Sequence, residues 1–145
     1  MATTHLPPDF REFLRLLKVH QVEYLLIGGY AVGYYGCADM DVWVAVAPGN
    51  AHRIVGALKE FGFDVPELSA ELFLHEDRII RMGLPPIRIE ILTTISGVSF
   101  DECCAGRVVD TLDGVEVDLI SLRHLKMNKQ ASGRHKDLND LEYLP

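Results

Sequence analysis

The run from Val22 to Ile27 is short and apolar, and it stops abruptly at Gly28 and Gly29. A run of this length bounded by glycines predicts a buried strand that feeds a tight turn. Residues 30–35 are compatible with a helix after that turn. Glycines between a strand and a helix leave backbone amides open to close approach by a phosphate group. The pattern therefore predicts a phosphate-binding turn at Gly28 and Gly29.

Two acids open the next β-rich run, which covers residues 39–46 and stops before Pro48 and Gly49. Side chains alternate between the two faces of a strand, so Asp39 and Asp41 are expected on one face, roughly 7 Å apart. Two carboxylates so placed repel each other unless a cation lies between them. Magnesium suits them, because it takes oxygen ligands and keeps positions open for substrate phosphate.

A third acid, Glu90, lies within the apolar run from Arg88 to Leu92. An ionised glutamate there is costly unless it is paired, exposed or bound to a metal ion. Three acids on two neighbouring strands can hold one or two ions for in-line displacement at phosphorus. Solvent-facing acids are nevertheless common on strands, and a pair of aspartates separated by one residue is a weak signal alone. The preceding Gly28 and Gly29 strengthen it.

The remaining pattern predicts one α+β domain over residues 1–145. Asp9, with Glu12 in a capping box, is expected to cap a first helix that runs to about Val19. Asn50 is expected to cap a second helix that runs to about Phe61. Ser121 is expected to cap a last helical region that begins with residues 122–131, is interrupted at Gly133 and resumes over residues 137–143. The other expected elements are a short helix or strand at 68–74, strands at 78–82 and 87–92, and a hairpin of 108–112 with 115–120 around Asp113 and Gly114.

The composition narrows the classes of function. With 145 residues, 48% of them hydrophobic, the chain is expected to form one globular core. No apolar run approaches the roughly 18 residues of a membrane span, and residues 1–8 do not resemble a signal peptide, so we expect a cytoplasmic protein. A net charge of −7 argues against generic DNA binding, but leaves room for a nucleotide that arrives with metal ions. The three cysteines, Cys37, Cys103 and Cys104, are expected to be small buried side chains.

The segments Leu25–Val32 and Asp39–Val42 together resemble the nucleotidyltransferase fold of the DNA polymerase beta superfamily. The signature of that fold is a strand ending in two small residues, a spacer of about nine to thirteen residues, two aspartates one residue apart and a third acid on a later strand. Within that superfamily, the pattern resembles small bacterial minimal nucleotidyltransferases and AbiEii-like toxins. Residues 89–93 match the strand of the third acid, and residues 121–141 match the C-terminal segment.

The resemblance implies a mixed central sheet flanked by helices and the transfer of a nucleoside monophosphate from an NTP to an acceptor hydroxyl. It implies that Asp39, Asp41 and Glu90 hold Mg²⁺ or Mn²⁺, and that Glu90 assists deprotonation of the acceptor. It places the nucleotide phosphates at Gly28 and Gly29. It also implies that Lys129 reaches the triphosphate and that Asp137 fixes the local geometry. The acceptor stays open between an RNA end, a protein side chain and a small molecule.

Two features depart from the family pattern. Only Cys37 and Ala38 separate Gly36 from Asp39, where relatives often carry a longer loop with an arginine and a threonine, and Gly29 stands where polymerase-like members place serine. The short loop before Asp39 favours a second hypothesis, a catalytically degenerate binding module or toxin–antitoxin partner. A plain structural domain is a third. The basic group of Lys126, Lys129, Arg134 and Lys136 is equally compatible with a phosphate site and with an ordinary basic surface.

Overall fold

The computed structural model describes residues 7–27, 38–83 and 87–133, including four α-helices and a six-stranded sheet. The predicted helix at 30–35 and the predicted resumption at 137–143 lie outside these residues. The elements in chain order are α1 (Pro8–Val19), β1 (Tyr24–Ile27), β2 (Ala38–Val44), α2 (Pro48–Phe61), a 3-10 helix (Ala70–Phe73), β3 (Ile79–Met82), β4 (Ile87–Leu92), α3 (Phe100–Ala105), β5 (Val108–Leu112), β6 (Val115–Leu119) and α4 (Leu122–Ser132).

The sheet is mixed, with strand order β3-β4-β2-β1-β6-β5. Its central strands, β1 and β2, are antiparallel to each other. Each has a parallel neighbour on its outer side, β6 beside β1 and β4 beside β2. The antiparallel strands β5 and β3 form the two edges. The predicted α+β class with a mixed sheet is confirmed, and the arrangement is compatible with a nucleotidyltransferase fold.

The two faces of the sheet carry different helices. We call the first the core face: alternate residues of β1 and β2, such as Leu26 and Val42, pack there in one large cluster with the apolar sides of α1 and α2. We call the opposite side the second face. It carries a smaller buried cluster to which α3 and α4 contribute Cys103 and Leu125. Strand alternation therefore sorts the side chains into two layers.

The starts of α1 and α2 differ from the predictions. Pro7 and Ala47 are the N-cap residues, and neither helix has a side-chain cap. Proline at the first helical position has its φ angle preset for a helix, so each helix begins before the expected capping residue. Glu12 accordingly bonds Arg15 rather than the chain start. Asn50, fully buried within α2, instead bonds the backbone N–H and carbonyl of Glu23 and the carbonyl of Ala45.

The later elements follow the sequence closely. Strands β5 and β6 form the predicted hairpin, and Asp113 and Gly114 both have positive φ angles, 49° and 81°. These are the angles that a two-residue type I′ turn requires. The Ser121 side chain accepts from the backbone N–H of His124 and caps α4 as predicted, and Gly133 ends that helix in a left-handed conformation. Residues 68–74 contain a 3-10 helix and no strand.

Among residues 7–27, 38–83 and 87–133, the helices are too short or too polar to cross a membrane.

Candidate active site

Four side-by-side residues form a row across the sheet at one level of the second face. The row begins at Ile27, the last residue of β1, whose partner on β2 is Asp41. Asp41 lies opposite Glu90 of β4, and Glu90 lies opposite Arg81 of β3. Paired residues on adjacent strands point to the same face and lie about 5 Å apart. The row therefore places two carboxylates next to each other, with a guanidinium at the sheet edge.

Asp41 is held in place by the alternation of β2. Its neighbours Met40 and Val42 are buried on the core face, which turns Asp41 toward the second face. Trp43, two residues further on, belongs to the second-face cluster, as expected from this parity. Asp41 is half-buried, and its Oδ1 is shielded from solvent. Its carboxylate thus lies at the margin of an apolar layer, where an ionised acid gains most from a nearby cation.

Glu90 is positioned in the same way and has a described partner. Ile89 and Ile91 are buried on the core face, so Glu90 points to the face that Asp41 shares. Only 17% of its side chain is exposed, and its Oε1 accepts from Nε of Arg81 at 2.9 Å. The sequence allowed three states for this glutamate: paired, exposed or metal-bound. The structure shows it paired, with an arginine that is itself 64% exposed.

The structure describes some of the other predicted site residues and not others. The backbone of Asp39 pairs with Arg88 of β4, two residues before the row of Asp41, but its side chain lies outside what the structure describes. Gly28, Gly29 and Asp137 lie outside the described residues. Strand β1 nevertheless ends at Ile27, directly opposite Asp41. Gly28 and Gly29, the predicted phosphate turn, therefore come directly after Ile27 in the chain, the residue that pairs with Asp41.

Lys129 lies in the last turn of α4 and is half-buried. Leu125, one helical turn earlier, is part of the second-face cluster, and Asn128 anchors the helix by donating to the carbonyl of Ser96. Residues four apart lie on the same side of a helix, so Lys129 continues the side of α4 that contains Leu125. The lysine is thus carried by a helix that packs on the same face of the sheet as the acids.

Trp43 is buried in the second-face cluster, two residues after Asp41 on β2. Its indole N–H donates to the carbonyl of Thr93 at 3.3 Å, and its ring meets Phe100 edge-on with centroids 5.2 Å apart. Because the side chain is buried and both its apolar ring and its N–H are engaged, Trp43 packs the layer rather than presenting a ring for a base. Trp43 therefore serves core packing in this structure.

The described donors are compatible with a hard divalent cation. Asp41 and Glu90 supply carboxylate oxygens on adjacent strands, and Mg²⁺ commonly takes only one or two carboxylates along with water and substrate phosphate. Within the part of the chain that the structure describes, no group of three or more His, Cys, Asp or Glu residues could hold a metal ion. The triad with Asp39 therefore stays a prediction, while two of its members lie in register.

Arg81 is the residue at this site that the sequence predictions missed. It interrupts the apolar β3 run of Ile79, Ile80 and Met82, as Glu90 interrupts β4. Of the two charged residues in β4, Arg88 and Glu90, only Glu90 is opposite in sign to Arg81, and opposite charges stabilise cross-strand pairs. That signal could have drawn attention to the pair.

No protein-family model matches the chain, and no curated protein is significantly similar to it.

Proposed function

We propose that the chain is a metal-dependent nucleotidyltransferase that moves a nucleoside monophosphate from an NTP to an acceptor hydroxyl. The observation that carries the proposal is the register of Asp41 with Glu90 on adjacent parallel strands, opposite the last residue of β1. Three separate segments thus converge, two bringing acids and one leading into Gly28 and Gly29. The register of Asp41 with Glu90 joins two segments that are far apart in the chain. It therefore supports the proposal independently of the local motif formed by the two glycines and the two aspartates.

Each residue has a defined task in this proposal. Asp41 and Glu90, joined by Asp39, hold Mg²⁺ or Mn²⁺, and Glu90 also accepts the proton of the acceptor hydroxyl. The backbone amides of Gly28 and Gly29 bind the nucleotide phosphates, Lys129 contributes positive charge toward the triphosphate, and Asp137 fixes the local geometry. The bound cation would neutralise charge on the triphosphate and align the reacting oxygens. RNA ends, protein side chains and small molecules all fit as acceptors.

A second candidate function is supported by the ion pair of Glu90 with Arg81. A guanidinium already supplies a countercharge to one proposed metal ligand, as it would in a non-catalytic binding or toxin–antitoxin module with the same fold. In that case neither carboxylate is needed for a ligand. The two functions therefore differ in whether a nucleotide with a divalent cation binds at Asp41 and Glu90.

Calorimetric titration of the four NTPs in the presence of MgCl₂ tests the proposal. We expect binding by the wild type and a loss of at least about tenfold in affinity for Asp41→Asn and Glu90→Gln, since each removes a charged ligand. Absence of binding by the wild type, or unchanged binding by both variants, would overturn it. Labelled NTPs incubated with cell lysate, compared between wild type and Asp41→Asn, would then identify the acceptor class.

Asp118→Asn is the matched control for Glu90→Gln. Asp118 is also a strand acid, 16% exposed against 17% for Glu90, and it is paired with Lys18 at 3.0 Å. Both substitutions thus neutralise a similarly exposed, ion-paired carboxylate within the same sheet. We expect the Asp118 variant to bind nucleotide like the wild type. An equal loss in both variants would assign the effect to the fold rather than to the site.

A further inference from the structure

Arg81 is the only cation in the row of paired residues formed by Ile27, Asp41, Glu90 and Arg81. We infer that Arg81 is a phosphate-binding residue that exchanges partners: it holds Glu90 while the metal site is empty, and holds a phosphate of the nucleotide once a divalent cation has taken Glu90. This inference rests on the proposed function and adds a residue and a binding order to it.

Glu90 needs a countercharge because it lies beside a second carboxylate. Glu90 lies about one strand spacing from Asp41 and is largely shielded from solvent, so the two carboxylates raise each other's energy. Arg81 lies on the other side of Glu90 and donates through Nε to Oε1. The guanidinium thus offsets the negative charge of Glu90 when no metal ion is bound, so a cation that binds there must displace a partner that Glu90 already has.

A bound cation would create a conflict at Glu90. A divalent ion at Asp41 and Glu90 would lie beside the Arg81 guanidinium, because both would contact Glu90, and two neighbouring cations repel each other. The pair of Arg81 with Glu90 is then weakened from both sides, because the metal ion both neutralises the carboxylate and repels the arginine. Cation and guanidinium therefore compete for Glu90.

Arg81 has the freedom to find another partner. It belongs to an edge strand, and 64% of its side chain is exposed, so its head group can turn without displacing the core. The described bond engages Nε, on one side of a planar group with five donors. A guanidinium of this kind matches phosphate oxygens in a two-bond fork. A nucleotide phosphate that shares the cation with Glu90 would bring such oxygens next to Arg81, which is the cross-strand neighbour of Glu90.

Mn²⁺ alone is the first probe. Its binding to the wild type and to Arg81→Gln is measured by electron paramagnetic resonance at low ionic strength, without nucleotide. We expect the variant to bind Mn²⁺ about two- to fivefold more tightly, since the lost competitor is an ion pair with one well-exposed partner. Added NaCl is expected to narrow the difference, because salt screens exposed charges.

The nucleotide is the second probe, and the expected effect has the opposite sign. In saturating Mn²⁺, Arg81→Gln is expected to bind ATP about tenfold more weakly than the wild type, because a charge-assisted hydrogen bond to phosphate is lost. Arg81→Lys is expected to lie between the two, since lysine keeps the charge without the fork. A purely structural role for Arg81 predicts no such reversal of sign.

Arg78→Gln is the matched control, because Arg78 is an exposed arginine just before the same strand, outside the row. It is expected to leave both affinities unchanged. Equal or weaker Mn²⁺ binding by Arg81→Gln, or unchanged ATP binding, would overturn the exchange. If Asp41→Asn and Glu90→Gln nevertheless weaken nucleotide binding at least about tenfold, only the exchange by Arg81 is overturned and the proposed function stands. If those two variants have no effect, the proposed function and the exchange both fall.

Discussion

The two faces of the sheet hold their helices by different means. On the core face, α1 and α2 have 12 and 14 residues, lack side-chain caps and are held by a large apolar cluster. On the second face, α3 and α4 have 6 and 11 residues, and each begins with a serine that caps it. The second-face cluster is small, and the acid row lies on the same face.

This difference separates the main source of stability from the face that carries the proposed site. Burial of apolar area is the main favourable term in folding, so the core face supplies most of it. The second face can then carry adjacent carboxylates, which cost stability, because the fold does not depend on that face alone. Functional sites commonly sacrifice stability in this way.

The largest expected effect comes from a matched pair of leucines. Leu17 on α1 and Leu125 on α4 are almost fully buried, at 1% and 2% exposure, but belong to the core-face and second-face clusters respectively. We expect Leu17→Ala to lower the free energy of unfolding by about 4 kcal/mol and Leu125→Ala by about 2 kcal/mol, because a smaller layer relaxes more easily around a cavity. Urea denaturation measures both. Equal losses would contradict the proposed contrast.

Alkaline pH is expected to lower the free energy of unfolding through one buried group on each face of the sheet. Burial raises the pKa of the Cys103 thiol to about 11 on the second face, and burial likewise raises the pKa of Tyr24 on the core face. Because both folded pKa values lie above the unfolded ones, the full stability is present below about pH 9. It falls as pH rises, since the unfolded chain then loses protons that the folded chain keeps.

The thiol provides the test between pH 9 and pH 11. Over that window the retained Cys103 proton is expected to cost about 2 kcal/mol of stability. In Cys103→Ala, urea denaturation at several pH values should show a shallower decline than in the wild type. Cys104→Ala retains Cys103 and serves as the control, with the wild-type slope. A slope unchanged in Cys103→Ala would show that the thiol does not contribute.

The smallest expected effect concerns the caps of the second face. Ser121→Ala removes the side-chain acceptor of the His124 N–H and is expected to lower the free energy of unfolding by about 1 kcal/mol. Ser69→Ala is the control, since Ser69 occupies the same position before the 3-10 helix without a side-chain cap and should change stability by less than about 0.5 kcal/mol. Thermal unfolding distinguishes them. Similar shifts would show that the cap is dispensable.

Local signals in the sequence predicted much of this structure. The alternation of β2 accounts for Trp43 lying on the face of Asp41, and the pair Asp113 and Gly114 correctly predicted a hairpin. The predicted caps at Asp9 and Asn50 were wrong, because a proline before each residue starts the helix earlier. For Asn50, the tertiary structure gives the side chain another use, since it bonds the backbone of residues that flank β1 and β2.

The register of β3 with β4 shows where sequence reasoning stops. A tight closure of the predicted turn would pair Met82 with Ile87 and place Arg81 opposite Arg88. In the structure Met82 pairs with Ile89, so Arg81 lies opposite Glu90. Both registers keep the same residues on the same face, because they differ by two positions. The hydrophobic pattern therefore cannot choose between them, although one brings two like charges together and the other forms the ion pair.

The sequence by itself determined the types of most elements and which side chains share a strand face, since these follow from local periodicity and from turn and cap residues. Only the tertiary structure decided that Asp41 lies beside Glu90 and that Arg81 completes the row. The physical reason is that strand order and register depend on contacts between distant segments. Those contacts form through packing of the whole domain, and no local pattern specifies them.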